Sequence, residues 1–304
     1  MFNETTIGDK TFPSIGFGPG GLGYTPKMQK RRNGLALFVS KVFNKLIYRP
    51  LLSHKYVKSV ANAMKLGFRL LDYSSAYGDG KLIGKAIQKS GVNRDDLFIT
   101  TRVSNHAQRE KIIRKEFLSF LKNTGLEYVD LLQFHWPVTD LYLDTWREME
   151  RLKDEGYVKH LGVANCHQHH LEEIFKICKH RPEIGQFEIH PLFTQKPLIQ
   201  YYKNNGIIVE AYTPIARYDD RLVRLPLLKE LEIKYKKTFV QIILRWHIQN
   251  GTIPLVRSLN SEHQKENFGV FDFELSNEDM KRIDGININS RLRYDPDNCD
   301  FSIL

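Results

Sequence analysis

Eight short apolar runs, separated by amphipathic stretches, place the strongest constraint on the fold of this 304-residue chain. The runs are rich in β-branched and aromatic residues, as buried strands are. They cover Ser14–Gly18, Phe68–Asp72, Leu97–Thr101, Val129–Phe134, His160–Val163, Ile184–Glu188, Ile207–Ala211 and Thr252–Val256. Strands that alternate with helices in this number predict a closed parallel (β/α)₈ or TIM barrel, since an open doubly wound sheet would use fewer strands and a glycine-rich first turn.

The stretches between the runs place apolar residues at helical spacing. They cover Lys55–Leu66, Lys81–Lys89, Gln108–Lys122, Asp144–Asp154, His169–Lys179, Pro197–Asn204 and Leu227–Arg245. Four of them are followed by a glycine, as helices often are at their ends: Gly67, Gly125, Gly156 and Gly206. Before the first strand, Thr5–Thr11 around Gly8-Asp9 predicts a hairpin that closes the bottom of the barrel.

A long insert follows the first strand and covers Gly20–His54 (residues 20–54). Its first part is basic, and its second part is amphipathic, with Leu35, Phe38, Val39, Val42, Phe43 and Leu46 on one helical face. Such a helix either contacts a membrane surface or packs its apolar face on its own protein. We favour packing, as a flap over the barrel mouth. No linker or charge block divides the chain, so we predict a single domain over residues 1–304.

The composition limits the function. The net charge is +10 and the pI is about 9.3, yet the positive residues are scattered and lack the aromatic-interleaved pattern of a nucleic-acid module. We therefore expect no nucleic-acid partner, and a pocket for a phosphorylated cofactor instead.

Three cysteines form no disulfide framework. No apolar run approaches the ~20 residues of a membrane span, and the amino terminus lacks an apolar signal core, so we expect a cytoplasmic protein. The sequence does not indicate its oligomeric state.

Polar residues stand where several predicted strands end. Asp72 ends the second run and Tyr77 follows it, Arg102 follows the third run, and His135 follows the fourth. Because the carboxyl ends of barrel strands face one mouth, we expect these side chains to meet there. A phenol donates a proton readily only when a cation stabilises its anion; a carboxylate orients that cation, and an imidazole polarises a carbonyl oxygen. This set suits carbonyl reduction, which also needs a hydride and hence a nicotinamide cofactor.

The sequence resembles the aldo-keto reductase superfamily at several motifs, from the hairpin to the tail. The motifs are Asp72 to Gly78, His135-Trp136-Pro137, Gly162-Val163-Ala164-Asn165, Gln186-Phe187-Glu188-Ile189-His190-Pro191, Tyr212-Thr213-Pro214, Leu244-Arg245-Trp246, and Pro254 to Ser258 with His263 and Glu266-Asn267. Each motif alone is weak, but all of them in order at the family's spacing are highly specific. The resemblance implies NADPH-dependent reduction of an aldehyde or ketone, with a small-molecule carbonyl as the partner.

The same resemblance implies which residues act. The catalytic residues would be Asp72, Tyr77, Arg102 and His135, with Tyr77 as the general acid. The cofactor-binding residues would be Gly18, Asp72, Asn165, Gln186, Tyr212, Thr213, Arg257, Ser258, His263, Glu266 and Asn267. Of these, Asn165 and Gln186 would bind the nicotinamide carboxamide, and Tyr212 would stack on the ring. Arg257 and Ser258 would hold the 2′-phosphate of NADP, while Glu266 and Asn267 would face the adenine end.

Three positions depart from the family pattern. Arg102 stands where the family has a lysine; it keeps the charge and can pair bidentately with Asp72, but it is larger and practically never deprotonates. Pro19-Gly20 replaces a Thr/aromatic pair and so removes an expected pocket wall. His263 replaces an arginine, so the preference for NADPH over NADH, which would bind more weakly, depends more on Arg257.

Two hypotheses therefore stand. The first, which we favour because Asp72, Tyr77 and His135 are intact, is an active reductase. The second is a nicotinamide-binding regulatory or scaffolding protein with little turnover, which the arginine and the basic insert favour. We predict no metal site: the histidines at positions 167, 169 and 170 adjoin a helix start, where such residues are usually solvated, and no carboxylate or cysteine is expected to complete a tetrahedral set.

Overall fold

The computed structural model describes residues 3–21, 49–74, 77, 80–299 and 301. Its strands are β1 Glu4–Ile7, β2 Lys10–Pro13, β3 Gly16–Phe17, β4 Leu70–Asp72, β5 Phe98–Val103, β6 Val129–Phe134, β7 Val158–Ala164, β8 Ile184–Glu188, β9 Ile208–Tyr212 and β10 Ile253–Val256. Strands β3 to β10 form one closed barrel in which neighbours along the chain pair in parallel and β10 pairs with β3. The predicted eight-stranded barrel is confirmed.

The α-helices of the described ranges surround this barrel. They are α1 Arg49–Leu66, α2 Gly80–Ser90, α3 Asn105–Arg109, α4 Ile113–Thr124, α5 Tyr142–Asp154, α6 Gln168–Ile177, α7 Lys196–Asn204, α8 Asp220–Val223, α9 Pro226–Tyr235, α10 Phe239–Gln249, α11 Ser261–Phe268 and α12 Asn277–Asp284. The four glycines predicted to end helices all have positive φ angles, between 72° and 118°, which confirms that prediction.

Two predicted helices were wrong as single elements. The stretch Gln108–Lys122 is divided between α3 and α4, and the stretch Leu227–Arg245 between α9 and α10. Lys111 and Lys236 lie at these breaks with φ angles of 55° and 53°, a left-handed conformation that a right-handed helix does not contain. Thr238 then starts α10 afresh, because its side chain accepts a hydrogen bond from the backbone N–H of Gln241.

Most of the predicted insert cannot be compared with the structure. Helix α1 begins at Arg49 rather than at Lys55, so the end of the insert is helical, but residues 22–48 lie outside the described ranges. The flap and the single domain therefore stay predictions. Within the part of the chain that the structure describes, no helix has both the length and the hydrophobicity needed to cross a bilayer.

The amino-terminal hairpin seals the bottom of the barrel. Strands β1 and β2 pair antiparallel around Gly8-Asp9, as predicted. Phe12 is buried, and its ring centroid lies 5.0 Å from that of Phe98 inside the barrel. Lys10 Nζ adds a polar contact, because it donates to Asp130 Oδ1 at 2.6 Å. The floor of the barrel is therefore closed by protein, and the interior opens toward the carboxyl ends of the strands.

The interior of the barrel changes from apolar to polar toward that open end. A cluster at the bottom comprises Ile7, Phe12, Leu70, Phe98, Leu131, Ile184, Ile253 and Leu255. Two residues further along their strands, on the same face, stand Asp72, Thr100, Gln133 and Gln186. Since alternate strand residues share a face, the side chains at the strand ends are directed into one polar compartment.

Candidate active site

A cleft of about 270 Å³ lies at the carboxyl ends of the strands. It brings together ten of the predicted site residues: Gly18, Asp72, Tyr77, Arg102, His135, Asn165, Gln186, Tyr212, Thr213 and Arg257. Arg102 is 2% exposed and Asp72 is 8% exposed, whereas Tyr77 is 37% exposed at the entrance. A buried charged floor therefore lies beneath an accessible phenol.

The floor is an ion pair between Arg102 and Asp72. Arg102 Nη2 also donates to Gln186 Oε1 at 2.6 Å. Burial alone would lower the pKa of Arg102, but the nearby acidic groups of Asp72, Tyr77 and Glu210 raise it overall. Arg102 is therefore a permanent cation, and it is close enough to Tyr77 to stabilise a negative charge on the phenol oxygen.

A second carboxyl group, Glu210 on β9, lies beneath the ion pair. It is fully buried, and its Oε2 accepts a 2.7 Å hydrogen bond from Gln186 Nε2, which also lies 3.3 Å from Asp72 Oδ1. Burial first, and the charge of Asp72 second, raise the pKa of Glu210 to about 7. Sequence reasoning did not select this residue, although an acidic residue within the apolar run of β9 was a visible signal.

His135 follows β6 and faces the cleft as a neutral imidazole. Its pKa is lowered to about 3, mainly by burial and further by the positive charges of Arg102 and Arg293. A ring that stays neutral at pH 7 can donate one hydrogen bond to a carbonyl oxygen, but it is not an imidazolium acid. This state leaves the phenol of Tyr77 as the available proton donor among these residues.

Asn165 joins two sides of the cleft from a strained position. Its φ angle is +59°, in the left-handed region. Its Nδ2 donates to the backbone oxygen of His135 at 2.9 Å, and its Oδ1 accepts from the Tyr212 hydroxyl at 2.6 Å. Since a side-chain amide carries two N–H bonds and two lone pairs, Asn165 keeps one donor and one acceptor for a ligand.

A second cavity of about 520 Å³ adjoins the cleft. The two share Thr213, Arg217, Leu255 and Arg257 as lining residues. The predicted residues Ser258, His263 and Asn267 line this second cavity as well. Glu266 does not; its Oε1 accepts a 2.6 Å hydrogen bond from Thr238 Oγ1 instead.

Sequence reasoning missed one cleft residue without any local signal. Arg293 lies in the carboxyl-terminal segment, yet it lines the cleft. Trp136 and Arg217 also line it, the first inside a quoted motif and the second at the start of a loop that precedes α8. Arg293 lies far along the chain from every predicted strand end, so only the folded chain reveals its position.

The histidines near the start of α6 have a carboxylate neighbour that the sequence reasoning did not foresee. Asp297 Oδ2 lies 2.7 Å from His167 Nδ1, and its Oδ1 lies 3.3 Å from His169 Nε2. His170 Nδ1, however, accepts a hydrogen bond from the backbone N–H of His167. A neutral imidazole that accepts at Nδ1 carries its proton on Nε2 and cannot use that nitrogen for a metal. The absence of a metal site stays a prediction.

Comparison with known proteins gives consistent matches. The model described as "Aldo/keto reductase family" matches residues 49–288. Two relatives come from Bacillus subtilis strain 168. The uncharacterized oxidoreductase YtbE is 41% identical over 81% of this chain and 88% of its own, and glyoxal reductase is 38% identical over 80% and 88%. The structure of a Bombyx mori aldo-keto reductase in complex with NADP superposes with a TM-score of 0.79 at 27% identity, over 97% of this chain and 95% of that one.

Replacing Glu210 with glutamine removes the buried titrating group at nearly constant shape. The folded-state pKa of about 7 lies above the ordinary value of 4.5, so the folded chain binds this proton more tightly than the unfolded chain does. The wild-type free energy of unfolding should therefore fall between pH 5 and pH 8. In urea unfolding, the free energy of unfolding of Glu210→Gln minus that of the wild type should rise by about 1–3 kcal/mol from pH 5 to pH 8.

The exposed Glu127 provides the matched control, because Glu127→Gln changes the same functional group on the surface. This variant should follow the pH dependence of the wild type. Parallel stability curves for Glu210→Gln and the wild type would show that the buried carboxyl group does not titrate in this range.

Proposed function

The chain belongs to the aldo/keto reductase family, and from this premise we propose that it reduces an aldehyde or ketone to an alcohol with NADPH. The observation that carries the proposal is the buried Arg102–Asp72 pair below Tyr77 and beside His135. The named activity of glyoxal reductase and the NADP complex of the Bombyx mori enzyme support it. Purified protein should oxidise NADPH when 4-nitrobenzaldehyde is added. No oxidation with this or other simple aldehydes would contradict the proposal.

The two adjoining cavities fit an elongated dinucleotide. Their volumes are about 270 and 520 Å³, and together they fall within the range of ligand pockets. Arg217 and Arg257 line both of them, and a ligand that crosses their junction would meet two positive charges there. Phosphate groups suit such a junction. We assign the 2′-phosphate of NADP to Arg257 and Ser258, with His263 nearby.

The nicotinamide end would lie in the cleft. Asn165 has one donor and one acceptor left for the carboxamide, whereas both N–H bonds of Gln186 are already directed at Glu210 and Asp72. Asn165 would therefore contribute more to carboxamide binding than Gln186, whose oxygen alone retains a lone pair. Tyr212, which Asn165 holds at 2.6 Å, would present its ring to the nicotinamide.

The side chains divide the work of carbonyl reduction. NADPH, which Asn165, Tyr212 and Arg257 would hold, would supply the hydride that the carbonyl carbon accepts. Tyr77 would give its hydroxyl proton to the carbonyl oxygen, and neutral His135 would orient that oxygen through a hydrogen bond. The charge of Arg102 would stabilise the phenolate that remains, and Asp72 would hold the guanidinium in place. The phenolate regains a proton from solvent when the alcohol leaves, since Tyr77 is accessible.

The arginine at position 102, where the family has a lysine, supports the alternative function. The guanidinium of Arg102 contacts Gln186 as well as Asp72, and its greater size favours the hypothesis of a nicotinamide-binding regulatory protein with little turnover. A misplacement of the phenol by about 1 Å costs on the order of 10²-fold in rate. We propose a cytoplasmic location in either case, because three cysteines form no disulfide framework and fit a reducing compartment.

Tyr77→Phe removes the hydroxyl group that we propose as the proton donor and keeps the aromatic ring. We expect turnover of 4-nitrobenzaldehyde to fall by about 10²- to 10⁴-fold, because the general acid is lost. NADPH binding, measured by fluorescence titration, should stay within about twofold of the wild type. Tyr294→Phe is the control, since its ring lies at the rim, 6.4 Å from that of Trp136, and it should retain activity. A Tyr77→Phe enzyme of normal rate would remove the phenol from the mechanism.

Arg257→Ala tests the cofactor preference. The dissociation constant for NADPH should rise by about 10- to 100-fold, as expected for a lost hydrogen bond to a charged group. NADH, which lacks the 2′-phosphate, should bind less tightly than NADPH to the wild type and nearly unchanged to the variant. Lys265→Ala on α11 removes the same charge from an exposed site and serves as the control. Equal wild-type affinities for the two cofactors would contradict the assignment.

Arg102→Lys separates the two candidate functions. If the arginine simply supplies charge, the variant should turn over at least as fast as the wild type, and Arg102→Met should be slower by about 10²-fold or more. If the protein has given up catalysis, the lysine should create activity that the wild type lacks. A wild type that is fast, with a lysine variant far slower, would show that the planar shape of the guanidinium is required.

A further inference from the structure

We infer that Arg293 forms a carboxylate-binding subsite in the cleft, so that the preferred substrate is a small aldehyde or keto acid. This inference rests on the proposed carbonyl reduction and names the substrate class. It starts from the charges of the cleft. Arg102, Arg217, Arg257 and Arg293 all line it, while Asp72 is the only carboxylate among the described residues that line it.

Of these four arginines, only Arg102 forms an ion pair within the described residues, and its partner is Asp72. The segment 22–48, which follows the first barrel strand, contains no aspartate or glutamate in its sequence. Among the described residues that line the cleft, positive charge is therefore in excess, which favours an anionic ligand.

Cofactor phosphates account for two of the remaining arginines. Arg217 and Arg257 line both the cleft and the second cavity, at the junction that the dinucleotide would cross. Arg293 lines only the cleft. Its charge acts on the catalytic end of that cleft, because it helps to hold the pKa of His135 low. A guanidinium at this place faces the substrate rather than the cofactor phosphates.

Neither Asp295 nor Asp297, the described acidic residues closest to Arg293 along the chain, forms an ion pair with it. Asp297 Oδ2 lies 2.7 Å from His167 Nδ1, and Asp295 Oδ1 accepts a hydrogen bond from the backbone N–H of Asp297 at 3.1 Å. The guanidinium carbon of Arg293 lies 5.4 Å from the ring centroid of Tyr294. No hydrogen bond or ion pair within the described residues involves the guanidinium of Arg293, so its N–H groups are available to a ligand.

The main chain that carries Arg293 is fixed by a buried carboxylate. Glu188, at the end of β8 and fully buried, accepts hydrogen bonds from the backbone N–H groups of Leu292 and Arg293 at 2.7 and 2.9 Å. His190 Nε2 lies 2.9 Å from the same carboxylate. Burial alone would raise the pKa of Glu188, but these hydrogen bonds hold it below its usual value. The main chain at Arg293 is therefore fixed before a ligand arrives, which lowers part of the entropy cost of binding.

The ligand group is better matched by a carboxylate than by a phosphate ester. A single planar guanidinium binds a carboxylate through two parallel hydrogen bonds. The cleft of about 270 Å³ must also hold the nicotinamide, which leaves room for a short substrate. A short chain between the carbonyl and the carboxylate would place the carbonyl near Tyr77 and the acid at Arg293.

The test compares two substrates that differ in charge, 4-oxobutanoate and its methyl ester, with NADPH as cofactor. For the wild type, kcat/KM should be 10- to 100-fold higher for the acid. Arg293→Met should abolish that preference through a rise in KM for the acid, so that kcat/KM for the acid falls to about that for the ester. Arg293→Lys should restore part of the preference. Arg291→Met removes the same charge from the same segment, outside the cleft lining, and should keep the wild-type preference.

The outcomes separate this inference from the proposed function. Turnover of the ester but no preference for the acid would overturn the subsite and leave carbonyl reduction intact. Turnover of neither compound, nor of 4-nitrobenzaldehyde, would overturn the reduction itself. Benzoate offers a readout without turnover: it should raise the melting temperature of the wild type with bound NADP⁺ but not of Arg293→Met. An equal shift in both proteins, or a preference for a phosphorylated aldehyde over 4-oxobutanoate, would also contradict the carboxylate subsite.

Discussion

A guanidinium buried inside a closed barrel determines how the functional end of this molecule is built. An unpaired buried charge costs several kcal/mol, so Arg102 on β5 requires acceptors from the strands that face it. Asp72 comes from β4 and Gln186 from β8, and Glu210 on β9 completes the set through Gln186. Tyr77 follows β4 and His135 follows β6, so the pairing of the barrel strands also sets where the phenol and the imidazole lie above this network.

The fold was largely predictable because the barrel repeats one simple pattern. Apolar runs of strand length identify buried strands, and all eight predicted runs overlap observed strands. What local periodicity does not show is where a helix breaks: Lys111 and Lys236 adopt left-handed conformations although nothing in their side chains requires it. Helices α11 and α12 were not predicted either, because both are short and mostly polar, so that apolar spacing gives little signal.

The site was predictable where it lies at strand ends and unpredictable where it depends on distant segments. Asp72, Arg102 and His135 were placed together because parallel strands end at one mouth. The side chain of Glu266 does not line its expected cavity, because the hydroxyl of Thr238, just before α10, donates a hydrogen bond to it. Arg293 lies beyond the last barrel strand, and its place in the cleft results from tertiary contacts that no local pattern encodes.

The attachment of the carboxyl-terminal segment has a consequence for how such an enzyme can change over evolution. Glu188 recognises main-chain N–H groups at Leu292 and Arg293, and these are present whatever side chains the two positions carry, proline excepted. These two hydrogen bonds therefore do not depend on which side chains occupy positions 292 and 293. A lineage can replace the residue at the cleft without loosening the segment that presents it, so that new substrate preferences become accessible by single substitutions at little cost in stability.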